Sequence, residues 1–219
     1  VPQDPNDEPA SELLKRIAKE RARLQTEENH KKSKSVPPVS NEEQLFDAPE
    51  SWAWQRLDGL LLISGGITLG RNLQGRELVS RPYLRVANVQ RGHLLLDHMK
   101  MVEIPVEEIS KYRLRHGDLL ITEGGDWDKV GRTAIWRNEI EDCLHQNHVF
   151  RARPLSADWN CRWTEFYLNA APARSYFAGA SKQTTNLASI NMTQLKACAF
   201  PVPPLAEQHR IVAKVDELM

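Results

Sequence analysis

Five charged residues, Asp118, Glu123, Asp126, Asp128 and Lys129, are the first place to look for catalysis, since carboxylates so close in sequence could hold a divalent metal for phosphodiester cleavage. The spacing argues against it. A metal nuclease site uses an acid-x-Lys step, and Lys129 here follows Asp128 directly. His145 and His148 stand three residues apart in a stretch that reads as strand, so they point to opposite faces. One buried and one surface histidine is the expectation, not a metal pair. The chain has no His-Glu-x-x-His, Cys-x-x-Cys, Gly-x-Gly-x-x-Gly or Gly-x-Ser-x-Gly, and no Asn/Asp-Pro-Pro-Tyr/Phe of amino-methyltransferases. No metal site, nucleotide fold or hydrolase nucleophile is therefore expected. The chemistry that remains is binding, and the chain is expected not to be an enzyme by itself.

Sequence-specific contact with DNA needs bidentate side chains at base edges and cations at phosphates. Those types gather in three loops. Residues 68–81 offer Thr68, Arg71, Asn72, Arg76 and Arg81; residues 123–132 offer Lys129 and Arg132; residues 181–191 offer Lys182, Gln183, Thr184, Thr185 and Asn186. Glycines beside them permit close backbone approach. An exposed loop is polar in any protein, so composition by itself leaves both readings open.

The elements that must position these loops follow from pattern. The 219 residues suffice for one sizeable core with appendages. Formal net charge is zero, but the first fifty residues lean acidic and residues 56–100 lean basic. Three scattered cysteines, Cys143, Cys161 and Cys198, form no disulfide framework. With no apolar run of membrane-spanning length, a cytoplasmic protein without membrane contact is the expectation. The chain begins with Val, which suggests a fragment.

Residues 1–30 read as an N-terminal helix with a narrow stripe of Leu13, Leu14, Ile17 and Leu24, suited to pairing with another helix. Residues 31–49 have linker composition, with lysines and then Val36-Pro37-Pro38. Residues 50–200 read as the globular part. There the spacing predicts strands over 83–92, 94–96, 119–122, 133–136 and 147–154, a short helix within 103–112, and helices over 163–173 and 192–197. Residues 201–219 read as a stiff proline joint and an amphipathic helix. Its stripe of Leu205, Ile211, Val212, Val215 and Leu218 is still running where the chain stops, so it expects a partner.

Several of these stretches resemble one family. Pro201-Val202-Pro203-Pro204-Leu205-Ala206-Glu207-Gln208-His209-Arg210-Ile211-Val212 looks like the boundary signature of the specificity (S) subunits of type I restriction–modification systems, where a target-recognition domain hands over to a conserved spacer helix. The Pro49-x-x-Trp52-x-Trp54-x-x-Leu57 entry, Leu114-x-x-Gly117-Asp118-Leu119-Leu120 with Val130-Gly131-Arg132-x-Ala134, and Thr185-x-x-x-x-Ile190-Asn191 are similar to that family as well. Residues 12–24 resemble its conserved region ahead of a recognition domain. The resemblance implies an α+β fold: one mixed-sheet DNA target-recognition domain flanked by long amphipathic helices of coiled-coil spacer type. It implies double-stranded DNA as ligand, and methylation and restriction subunits as partners. S-adenosylmethionine, ATP and Mg would sit on those partners and no cofactor on this chain. It implies helix pairing through Leu13, Ile17, Leu24, Ile211, Val212, Val215 and Leu218, and a homodimer through the spacer helices is one arrangement. Two recognition domains are the family pattern; this chain has one, as a half-subunit or a truncated piece. The alternatives are a module cut from a fused restriction–methylation enzyme, or a protein–protein scaffold that reads no DNA.

Overall fold

The structure, a computed structural model, describes residues 1–27, 36–125, 129–183 and 188–219. In chain order the elements are α1 (Ala10–Glu27), β1 (Ala53–Arg56), α2 (Leu57–Leu60), β2 (Leu61–Ser64), β3 (Leu78–Leu84), β4 (Lys100–Pro105), α3 (Ile109–Tyr112), β5 (Leu119–Thr122), β6 (Gly124–Gly125), β7 (Thr133–Ile135), β8 (Leu144–His145), β9 (Val149–Pro154), α4 (Cys161–Asn169), α5 (Ala171–Ala180), β10 (Lys182–Gln183), β11 (Ala188–Ser189), α6 (Met192–Ala197), β12 (Ala199–Val202) and α7 (Leu205–Leu218).

The expected mixed sheet is divided. An antiparallel sheet ordered β2-β9-β5-β7 forms the centre, and its strand β5 is buried along its whole length. That two-sided burial explains why Leu119-Leu120-Ile121 is a continuous apolar run instead of an alternation. Leu119 and Ile121 enter one core with Leu57, Phe150, Trp163, Phe177 and Phe200, while Leu120 enters a second with Trp136 and Val149. The mixed pairing lies in a separate sheet ordered β4-β3-β8, antiparallel on one side of β3 and parallel on the other.

Three expectations about elements need correction. The strand predicted over 83–92 stops at Leu84, and residues 86–88 form a 3-10 turn. The Asn88 side chain accepts from the Arg85 N–H at 2.9 Å and donates to the Leu95 carbonyl at 2.8 Å, so a local side-chain bond outcompetes the ladder. The return strand expected over 94–96 is reduced to one bridge, Val89 to Leu94. The helix predicted over 163–173 is two helices broken at Ala170, whose extended backbone precedes Pro172 in the first turn of α5.

The chain's two ends also differ from expectation. Leu13 and Ile17, expected to pair with another helix, are each 1% exposed and belong to the domain's own core. Arg21, the polar interruption of that stripe, binds the Asp58 carboxylate at 2.8 Å. The helix α1 therefore lies on the domain, and its stripe is narrow because a small footprint suffices. The proline stretch is not a free joint. Pro201 stands opposite Trp54 where β12 pairs with β1, and residues 199–204 are all buried. A two-stranded sheet is all edge, so a proline can be accommodated there. Entry and exit of the domain thus run side by side. Described residues of the 31–49 linker are likewise fastened: the Arg56 guanidinium donates to the carbonyls of Pro37 (2.9 Å), Pro38 (3.2 Å) and Ala197 (2.8 Å) and pairs with Glu43 at 2.7 Å.

Candidate nucleic-acid interface

The bases of the three polar loops converge on the turn between β8 and β9. The Ile67 N–H donates to the His145 carbonyl at 2.8 Å, and the Asn147 N–H returns to Ile67 at 3.0 Å, which anchors the start of loop 68–81. The Glu123 N–H donates to the His148 carbonyl at 3.0 Å, anchoring loop 123–132. The Ile190 N–H donates to the Glu123 carbonyl at 2.9 Å, which closes loop 181–191 onto the second loop. Glycine matters at the first contact: any Cβ on Gly66 would collide with the His145 carbonyl.

The second and third loops are more than neighbours. Strands β10, β11 and β6 make a three-stranded sheet in which Lys182 faces Ser189 and Ser189 faces Gly124. A Cβ on Gly124 would stand 2.8 Å from the Ala188 carbonyl oxygen, so the Gly124-Gly125 pair is what lets β11 approach. At the far end of loop 123–132, Gly131 adopts φ +69° against the Phe177 ring. Arg132 folds back there, donating to the Gln90 side chain at 2.7 Å, while its N–H is held by Thr122 Oγ1 at 3.0 Å. The Lys129 carbonyl accepts from the same hydroxyl at 2.6 Å. Lys182 and Gln183 lie on β10; Thr184, Thr185 and Asn186 lie outside the described residues.

The first loop contributes less positive charge than its composition suggests. Arg71 pairs with Glu108 at 2.9 Å, and Arg76 pairs with Glu107 and Glu108 at 2.6 Å each. These hydrogen bonds hold both glutamates below the usual carboxylate range. Arg81 pairs with Asp142 at 3.3 Å. Each arginine would reach a phosphate only by exchanging one anion for another. Thr68 and Asn72 are exposed, and the Asn72 side-chain Oδ1 accepts from the Gln74 N–H at 3.0 Å. The structure thus joins loops 123–132 and 181–191 into one unit and ties Arg71, Arg76 and Arg81 elsewhere.

The two histidines divide into one buried and one exposed, although not by strand alternation: His145 ends β8 and His148 lies in the turn before β9. His145 is fully buried; its Nδ1 lies 2.7 Å from the Val149 carbonyl, and burial lowers its pKa to about 4. His148 is exposed and meets Glu123 at 2.7 Å. Asp118 is buried and takes a bidentate grip from Arg153, both contacts at 2.7 Å. Asp126 and Asp128 lie outside the described residues; Asp118 and Glu123 are engaged separately, and among the described residues no group of three or more His, Cys, Asp and Glu could hold a metal. No helix among the described residues is long and apolar enough to cross a membrane.

Sequence reasoning missed the polar residues that seat α7. Glu207 is 2% exposed and accepts from the Trp52 indole at 2.9 Å and from the Gln3 amide. Arg210 grips Asp7 with contacts of 3.2 and 2.5 Å, and Gln208, fully buried, donates to the Pro203 carbonyl at 2.9 Å. In a helical pattern Glu207 and Arg210 read as a solvated face; the signal that could have found them was the proximity of β1 to β12, which no local pattern carries. Ile211 and Val212 pack partly against the domain, Leu24 does the same from α1, Val215 is half-buried, and Leu218 is 76% exposed.

Residues 49–219 match the model of the type I restriction modification DNA specificity domain. The chain is 35% identical, over 230 aligned residues, to the EcoAI specificity subunit of Escherichia coli, covering 100% of this chain and 37% of that protein. It is 26% identical to the EcoEI specificity subunit of the same species, again covering 37% of the relative. The chain thus spans a little over a third of the length of these relatives. Among solved structures it resembles a chain of a type I R-M system studied for complex assembly and conformational transition, with a TM-score of 0.56 at 22% identity, covering 95% of this chain and 49% of that one. It also resembles the HsdS subunit from Thermoanaerobacter tengcongensis, with a TM-score of 0.52 at 20% identity, covering 95% and 48%. At those identities the likeness is one of fold.

Proposed function

The chain belongs to the type I restriction modification DNA specificity domain family, and from that premise we propose that it reads one half of a split DNA site, using loops 123–132 and 181–191 as a single reading surface. The observation that carries this is the β10-β11-β6 sheet, which couples two loops rich in hydrogen-bonding side chains through closely packed backbone. Coupled loops enter a groove with a set geometry, which direct readout requires and a floppy polar loop does not supply. This chain supplies binding, while methylation and restriction subunits supply catalysis with S-adenosylmethionine, ATP and Mg. The end of α7, with half-buried Val215 and exposed Leu218, leads toward a spacer helix and a second recognition unit, in the same chain or in a second copy.

Three or four base pairs read at roughly 1–3 kcal/mol each give about 3–12 kcal/mol of discrimination, so a single domain binds weakly and is salt-sensitive. The test is selection from a randomised duplex pool at fixed salt, with a methylation subunit present, using the wild-type chain and a chain whose residues 182–186 are exchanged for another set. A motif that changes with the exchange supports the reading. A motif unaltered by the exchange, or none at all, refutes it.

A further inference from the structure

Away from the loops, the far end of the central sheet opens into a cavity of about 550 Å³. Its walls include Arg115, His116, Arg137, Arg153 and Arg162, with Trp159 at its floor. Two of those cations are spent internally. Arg153 is held bidentately by Asp118, and Arg162 by Glu165 and by Asp216 at 2.9 Å. Asp118 and Glu165 are each about 1% exposed at the side chain and offset Arg153 and Arg162 in the back wall, while Asp216, 47% exposed, adds one negative charge on the solvent side of Arg162. Arg115, His116 and Arg137 are exposed, and none of the three forms an ion pair among the described residues. The Arg137 guanidinium has only a 3.4 Å contact to the Ile135 carbonyl, and the nearby Glu139 carboxylate is taken by the Arg137 backbone N–H at 2.7 Å. Burial pushes the Cys161 thiol up to about 11, so no thiolate offsets them. Among the described residues no carboxylate lines the cavity itself.

This cleft is separate from the reading loops. It sits at the Leu119 end of β5, beyond Gly117, whereas the loops spring from the Thr122 end. A strand of that length spans about 13 Å, and both faces of β5 are covered, so a ligand on one end does not lie across to the other. Free guanidinium groups beside paired ones, over an apolar floor of Ile135, Leu155 and Trp159, suit a multiply charged anion with several acceptor oxygens. We propose that this cleft is a phosphate-ester binding site, gripped by Arg115 and Arg137 with His116 at its edge. The phosphate is carried either by a free nucleotide or by a DNA backbone outside the segment that the loops read.

The experiment is calorimetric titration of the whole chain, at fixed moderate salt, with pyrophosphate, with ATP and with a short duplex lacking any selected target. It compares wild type with the double variant Arg115→Ala/Arg137→Ala and with Arg174→Ala, an exposed arginine of α5 outside the cleft. Thermal unfolding of each variant checks the fold. Loss of two charge-assisted contacts should weaken binding about tenfold or more in the double variant and leave Arg174→Ala unchanged. Saturable binding of ATP assigns a nucleotide; saturable binding of the duplex alone assigns a strand phosphate. Absence of saturable binding for all three probes, or binding indifferent to the double substitution, overturns the proposal. The readout is phosphate binding and not target choice, so its failure leaves the reading of the loops standing.

Discussion

The Trp52 indole donates to the Glu207 carboxylate at 2.9 Å, joining residues 155 positions apart. With the Asp7–Arg210 pair and the Gln3 contact, it ties the segment before α1, the entry to β1 and the first turn of α7 into one knot. The helix therefore leaves the domain at a set angle. Substituting Glu207→Ala strands a donor with reduced access to water and should cost about 1–3 kcal/mol in denaturant unfolding, with Glu207→Gln losing less. An unfolding midpoint equal to wild type for Glu207→Ala would show that the knot contributes nothing.

The end helices should respond in opposite ways to added charge. Ile17→Asp places an unpaired carboxylate in the core and should cost more than about 4 kcal/mol or abolish folding. Leu218→Asp, at a position 76% exposed, should stay within about 0.5 kcal/mol of wild type. Any loss of self-association or subunit association in Leu218→Asp is then due to helix pairing. Circular dichroism melts of the two variants decide the point, and a folded Ile17→Asp would contradict the packing of α1.

His145 makes the fold acid-sensitive. Burial lowers its pKa from the ordinary 6.5 to about 4, and the positive charge of Arg151 nearby works in the same direction. The unfolded chain binds the proton more readily, so stability is full above pH 6.5 and is lost as pH falls toward 4. The loss amounts to roughly 3 kcal/mol over that window. Substitution by Gln should flatten the dependence of the unfolding free energy between those limits; an unchanged slope would exclude His145 as its source.

The Arg56 clasp should hold the segment that precedes the domain. Removing the guanidinium frees the carbonyls of Pro37, Pro38 and Ala197 together with Glu43, so Arg56→Ala should expose residues 36–44 to limited proteolysis well below global unfolding. The hydrogen bond from Arg56 lowers the Glu43 pKa to about 2, so this tie is present above the ordinary value of 4.5 and weakens as pH falls toward 2. Unchanged cleavage at neutral pH would mean that the segment is held by its other contacts.

The sequence by itself determined a good deal. The family motifs, the polar loops, the buried run at 119–122 and the short helix at 192–197 were legible in it, because each depends on residues adjacent along the chain; one buried and one exposed histidine was expected too, but from a strand that begins only at Val149. The narrow stripe of α1 was legible too, but not its destination: an apolar stripe states that a face will be buried and not against what. Tertiary structure decided that Leu13 and Ile17 face their own domain, that the prolines pair with β1, and that loops 123–132 and 181–191 form one sheet. It also decided which arginines remain free. Arg71, Arg76 and Arg81 look like phosphate ligands in a list of residues, yet glutamates and an aspartate far along the chain neutralise them, while Arg115 and Arg137 keep their charge. Pairing between charges distant in sequence is a property of the folded backbone, and no local pattern encodes it.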